Sequence, residues 1–186
     1  MKKLSVFLFV SLDGYYKDVN NKTDWHTHGG EEEGNLSDEG SQSGSITLFG
    51  RVTYEMMAGF WPTPMAYEMF PTTADGMNKS EKIVFSRKLK KADWQNTKIV
   101  NGDMIEEVKR LKKTAKSDLI ILGSGSVVSQ LADAGLIDEY MFLVDPIAIG
   151  NGTSIFKGIK NQINLKLTSS KAFKSGAVLN TYEPQK

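Results

Sequence analysis

Residues 119–134, LIILGSGSVVSQLADA, limit most sharply what this chain can fold into. A short apolar run ends at Gly123-Ser124-Gly125 and gives way to helical spacing, which predicts a buried strand, a glycine-rich turn and a helix. Such a turn leaves backbone N–H groups at a helix start, where hydrogen bonding and the helix dipole both favour a phosphate, and this points to a nucleotide. Gly123 and Gly125 tolerate positive φ or close approach of a ligand, and Ser124 and Ser126 are placed to cap the helix. The same residues serve equally as a plain strand-to-helix turn. A Rossmann fingerprint would need a third glycine where Val128 stands and an acid about twenty residues on. Asp145 meets only the second requirement, and the chain after it reads as antiparallel, so that fold is rejected.

Composition bounds the alternatives. With 186 residues, 40% of them hydrophobic, the chain suits one domain with a core of its own. Lys and Arg total 23 against 22 acids, for a net charge of +1, so no global field recruits nucleic acid or an anionic membrane. There is no cysteine, which excludes disulfides, thiolate metal sites and a cysteine nucleophile and suits a reducing cytoplasm. The start, MKKLSVFLFVSLDG, has the charge of a signal peptide, but its apolar run at 4–12 is short, contains serines and has no small-residue cleavage site after it. It is read as a first buried strand ending at Asp13-Gly14. No run approaches the roughly 20 apolar residues of a membrane span.

Along the chain, 18–45 is polar and too long for a simple connector, which suggests a functional loop with a short helix around 31–38. Strands are expected at 45–49, 82–85, 97–100 and 139–149. Helices are expected at 52–60, 104–114 and 127–134, with one or two helical turns at 65–70 between Pro64 and Pro71. Ile105, Val108 and Leu111 fall on one face of the 104–114 helix, with lysines on the other. Gly135 follows the 127–134 helix at the usual C-terminal position. Runs at 163–173 and 177–182 around Lys174-Ser175-Gly176 read as a hairpin. Alternating strands and helices ending in a hairpin predict an α/β fold with a mixed sheet covered on both faces.

Five motifs then stand in order: Ser11-Leu12-Asp13-Gly14; Thr47-Leu48-Phe49-Gly50-Arg51-Val52-Thr53-Tyr54-Glu55; Val84-Phe85-Ser86-Arg87; Leu122-Gly123-Ser124-Gly125; and Val144-Asp145-Pro146-Ile147 through Gly150-Asn151-Gly152. Together they resemble the dihydrofolate reductase-like superfamily over essentially the whole chain. Within it, the chain is most similar to the reductase domain of the bifunctional riboflavin-biosynthesis deaminase-reductase and its stand-alone bacterial relatives. The resemblance implies a single dihydrofolate reductase-like domain, a mainly parallel mixed sheet flanked by helices with a C-terminal antiparallel hairpin.

It also implies NADPH as cofactor. Gly50, Arg51 and Thr53 match the turn that holds its phosphates, and Arg51 is a fixed cation beside free N–H groups. Ser86 and Arg87 match the strand end near the adenosine 2′-phosphate, although Arg87 also begins a basic run, 87–91, of the kind that is usually a solvated surface. Gly123, Ser124, Gly125 and Ser126 match the loop beneath the pyrophosphate, where a side chain at Gly125 would leave no room for the phosphate. On the substrate side, Asp13 matches an acid facing the substrate, a candidate proton relay, and is equally a turn residue before Gly14. Asp24-Trp25-His26-Thr27 resembles the substrate loop, with Thr23 where a serine would stand; Trp25 suits stacking on a flat ring and equally suits closing the core.

Some departures narrow the activity. The acid of folate-reducing enzymes lies on a helix with apolar flanks, which Glu32, Glu33 and Asp38 lack, so folate reduction is disfavoured. The zinc deaminase signature requires cysteines and is absent. His26 and His28 near three glutamates have a spacing that suits an incidental loop, and no metal is expected. No Gly-x-Ser-x-Gly nucleophile motif occurs. The expectation is an NADPH-dependent reductase of a small heterocyclic or ribosylated substrate, with a 5-amino-6-(5-phosphoribosylamino)uracil-type riboflavin precursor as the default. The alternative is a non-catalytic or regulatory nucleotide-binding module on the same fold. A cytoplasmic homodimer is expected, with 139–149 and the hairpin near Lys174 offering edges and apolar faces.

Overall fold

Burial alternates along the first strand, with Leu4, Val6, Leu8 and Val10 at most 6% exposed, and this sets the two layers of the fold. The computed structural model describes residues 1–26 and 30–185. In chain order the elements are β1 (Leu4–Ser11), β2 (Tyr15–Asp18), α1 (Gly30–Ser41), β3 (Ile46–Gly50), α2 (Arg51–Ala58), α3 (Pro64–Met69), α4 (Pro71–Lys79), β4 (Lys82–Phe85), β5 (Thr97–Val100), α5 (Met104–Thr114), β6 (Leu119–Leu122), α6 (Gly125–Asp133), β7 (Glu139–Asp145), β8 (Gly152–Ser154), β9 (Leu165–Ala172) and β10 (Val178–Pro184).

Eight strands form one sheet in the order β5-β4-β3-β6-β1-β7-β10-β9. The strands from β5 to β7 run parallel, and the β9–β10 hairpin joins antiparallel to β7. This is the expected dihydrofolate reductase-like α/β arrangement. One sheet face, carrying Leu4, Val6, Ile46, Leu48 and Ile121, packs on Val108 and Leu111 of α5 and Val127 and Leu131 of α6. The other face carries Phe7, Phe9 and Leu143 against Leu36 of α1, and Phe49 and Val84 against Tyr54 of α2 and Met77 of α4.

Several boundaries differ from the sequence reading. The 139–149 strand stops at Asp145, where the Ile147 N–H returns to the Asp145 carbonyl at 2.8 Å and turns the chain. Because β7 lies between β1 and β10, it offers no edge for a partner; β5 and β9 are the edge strands, and β9 belongs to the hairpin. α4 escapes a reading of Pro71 as a breaker because Pro71 opens the helix, where its missing N–H costs nothing. β2 and β8 form a separate two-stranded ladder too short and polar to stand out in the pattern. α1 is longer than the short helix expected around 31–38: Asp38 accepts from Thr73 Oγ1 at 2.5 Å, and Glu33, 6% exposed, from Ser175. On α5, Lys112 does not join the solvent face; it is buried and its ammonium meets Asp138 at 2.5 Å.

Candidate active site

Parallel β3, β4 and β6 end on one edge of the sheet, and each hands over to a turn carrying expected site residues. Gly50, Arg51 and Thr53 follow β3, Ser86 and Arg87 follow β4, and Gly123, Ser124, Gly125 and Ser126 follow β6. All nine line one cavity of about 1340 Å³. That exceeds the roughly 300–1,000 Å³ of a single ligand site, so there is room for two ligands side by side.

The turns are bound to one another. Gly123 (φ 63°) and Ser124 (φ 63°) are both left-handed, and a side chain at Gly123 would come within 3.1 Å of Thr53 Cγ2. Ser124 does not cap α6 with its side chain; its Oγ accepts the Gly50 N–H at 2.8 Å and ties the two turns together. The Ser124 carbonyl instead accepts the Val127 and Val128 N–H groups at 2.8 and 3.1 Å. Ser126 is exposed and likewise provides no cap.

Gly125 has a second reason to lack a side chain, besides the phosphate. A Cβ there would meet the Tyr16 hydroxyl at 2.6 Å, so the end of the Tyr16 side chain packs directly on the Gly125 backbone. Burial pushes the Tyr16 pKa up, so the group at the start of α6 is a neutral phenol. Arg51 Nη1 lies 2.6 Å from Glu55 one turn along α2. Arg87 is exposed and meets no carboxylate among the described residues. Ser86 Oγ accepts the Lys88 and Leu89 N–H groups at 3.1 and 2.9 Å and shapes the turn that presents Arg87.

Of the expected substrate residues that are described, Asp13 and Trp25 are not among those lining the cavity. The Asp13 carboxylate accepts the Ser11 hydroxyl at 2.6 Å and the Ile149 and Gly150 N–H groups at 3.2 and 2.7 Å. The Ser11 hydroxyl and then these amides hold its pKa below the ordinary carboxylate value. Trp25 is half-buried outside the cavity, and its Nε1–H is buried without a partner among the described residues. Thr27 and His28 fall outside the described residues. His26 is buried, with Nδ1 at 2.8 Å from Asp145 Oδ2 and its ring stacked on Phe9 at 3.7 Å. Asp145, weighed in the sequence as a ribose acid, is thus engaged by a histidine. Among the described residues no group of three His, Cys, Asp or Glu could hold a metal, and no helix is long and apolar enough to cross a membrane.

Sequence reasoning missed the other half of the cavity. Phe7 and Phe9 of β1, Leu36 of α1, Met57 of α2, Trp61 and Met141 of β7 wall it on the sheet face beneath α1. The signal was present in part: alternation along β1 puts Phe7 and Phe9 opposite Val6 and Leu8. The Gly123 N–H donates to the Phe7 carbonyl at 3.4 Å, so this half begins where the glycine-rich turn ends.

The family model described as RibD C-terminal domain matches residues 2–179. The uncharacterized protein YyaP of Bacillus subtilis (strain 168) is 28% identical over 181 residues, covering 97% of this chain and 94% of that protein. The crystal structure of a putative riboflavin biosynthesis protein from Shewanella sp. PV-4 superposes with a TM-score of 0.76 at 19% identity, with both chains fully covered. A diaminohydroxyphosphoribosylaminopyrimidine deaminase/5-amino-6-(5-phosphoribosylamino)uracil reductase from Thermotoga maritima gives a TM-score of 0.69 at 14% identity, over 99% of this chain and 57% of that one. The chain belongs to the RibD C-terminal domain family, a reductase domain family.

Proposed function

We propose that this member of the RibD C-terminal domain family is an NADPH-dependent reductase of a small heterocyclic substrate. One observation carries the reading: three strand-end turns, two of them joined by the Gly50 N–H to Ser124 Oγ bond, line a single cavity together with Arg51 and Arg87. A dinucleotide phosphate fits there. Gly123 and Gly125 keep side chains out of the cradle, and only the end of the Tyr16 side chain stands over the first N–H of α6. Gly50, Thr53 and residues 123–126 would hold the pyrophosphate, and Ser86 and Arg87 the 2′-phosphate.

NADPH, held by these turns, would supply a hydride for an electrophilic ring or carbonyl carbon, with water as the source of the proton for the neighbouring heteroatom. The chain's own part is to place the substrate on the Phe7–Phe9 face, beside the glycine-rich turn, and to limit the water that reaches it. Asp13 acts in this reading as a positioning residue. It holds the 149–150 turn that leads into β8, whose Thr153 and Ser154 line the cavity. The compound named for the Thermotoga protein is the reference substrate for the assay. The proposal includes a cytoplasmic homodimer, for which the β9 edge of the hairpin is one available strand.

Titration with NADPH and NADH tests the reading. NADPH is expected to bind at least tenfold more tightly; equal dissociation constants, or no binding of either, overturn it. A dimer mass by light scattering at micromolar concentration is expected alongside.

A further inference from the structure

We infer that the half of the cavity beneath α1 takes a flat, uncharged ring compound that carries no phosphate. The inference rests on the reading of the cavity as a reductase site and narrows its substrate.

The walls favour a flat apolar body. Phe7 and Phe9 stand edge to face, 5.4 Å apart at 81°, and the Trp61 indole with the Met57 and Met141 thioethers completes a surface of aromatic and polarisable groups. Such groups stack on a planar ring and adapt to its outline. Apart from Glu39, the polar side chains that α1 and β3 bring to this side are hydroxyls, those of Ser37, Ser41 and Thr47, which orient a ring carbonyl or ring nitrogen without demanding charge.

The charges are distributed against a phosphate. Among the described residues, the cations lining the cavity are Lys17, Arg51, Arg87 and Lys157. Arg51 and Arg87 sit at the ends of β3 and β4, in the part assigned to the cofactor. Lys17 is on β2, with its ammonium 2.6 Å from Asn21 Oδ1. Lys157 belongs to the opposite sheet face, where its carbonyl accepts from Ser129 of α6 at 3.1 Å. The elements that wall the Phe7–Phe9 side, β1, α1 and β7, contribute no described lysine or arginine to the lining, and the charged group they contribute is Glu39 of α1. A phosphate placed among these side chains would be desolvated with no counter-charge and with a carboxylate near the mouth, which opposes binding strongly. A neutral ring loses nothing of the kind.

The test uses lumazine as the flat uncharged probe, and 5-amino-6-(ribosylamino)uracil with its 5′-phosphate as a pair differing only in the phosphate. Each is titrated calorimetrically into the free protein and into protein saturated with NADPH. Lumazine and the unphosphorylated compound are expected to bind, and the phosphate ester at least tenfold more weakly. Equal or tighter binding of the ester overturns the inference, as does failure of lumazine to bind either form. Because NADPH binding is measured separately, its failure counts against the reductase reading, while lumazine and the matched pair still judge this inference on the free protein. Trp61→Ala is expected to weaken lumazine binding about tenfold with NADPH affinity retained. Ser37→Arg, a change on the half-buried face of α1, is expected to narrow the gap between ester and parent. A gap unchanged in folded Ser37→Arg protein would place the phosphate outside this half and overturn the assignment.

Discussion

The hydroxyl of Tyr16 lies 2.6 Å from where a Gly125 Cβ would stand, so a side chain from the β2 ladder occupies the first turn of α6. Removing that hydroxyl in Tyr16→Phe is expected to cost about 0.5–1.5 kcal/mol of stability in urea unfolding. Gly125→Val has a larger effect, since its side chain meets the ring itself; both the melting temperature and NADPH affinity should fall. A Gly125→Val protein with unaltered melting temperature would show that the Tyr16 ring moves aside freely.

Arg87 is the cation with no carboxylate partner among the described residues that faces the cofactor end. Arg87→Ala is expected to weaken NADPH binding by about 1.5–3 kcal/mol, roughly tenfold to a hundredfold, with NADH binding unchanged. Isothermal titration with both cofactors reads this directly. Equal losses for the two would mean that Arg87 meets a phosphate they share.

Lys82 is fully buried with no acid beside it. Its Nζ donates to the carbonyls of Met77 and Ser80 at 2.7 Å and lies 4.4 Å from the Trp94 ring. Burial pulls its pKa down from 10.5 to about 8. The folded value lies below the unfolded one, so between these limits the unfolded chain binds more protons and stability rises with pH. Denaturant unfolding between pH 7 and 10.5 should show that rise in the wild type and lose it in Lys82→Met.

Asp145 and His26 form a buried pair at 2.8 Å. Asp145→Ala leaves the imidazole without its carboxylate and is expected to cost about 3 kcal/mol in unfolding free energy. A loss below about 1 kcal/mol would mean that His26 finds another acceptor.

For Asp13, whose folded pKa is lowered, the stabilising contribution is present above the ordinary value of 3.8 and lost as pH falls through the folded value. Asp13→Asn should speed amide exchange at Ile149 and Gly150 at neutral pH while leaving NADPH affinity intact. Unchanged exchange at both amides would show that the turn stands without the carboxylate.

The strand-ending turns were legible because glycine, serine and arginine at fixed places after apolar runs have few other uses: the turns of Gly50, Arg87 and Gly123 all reached one cavity. β4, β5 and α5 were read to the residue, since Lys82–Phe85 and Thr97–Val100 are bounded by polar residues and Asp103 caps α5 by accepting the Ile105 and Glu106 N–H groups. What escaped depends on contacts far apart in sequence. Nothing local to Asp13 announces Gly150, nothing local to Gly125 announces Tyr16, and His26 gives no sign of Asp145. Trp61, in a proline-rich stretch, carries no periodicity that would aim it at the sheet.

The β2–β8 ladder and the Asp13 clamp join residues more than 130 positions apart, yet they add no strand to the eight-stranded sheet. During synthesis the 13–18 segment therefore waits, unpaired, until most of the chain has been made and residues 149–154 arrive. In the finished molecule the ladder shares no strand with the eight-stranded sheet. The ladder therefore closes late on a strand made early, and it carries Tyr16 with it, at the mouth of the α6 cradle.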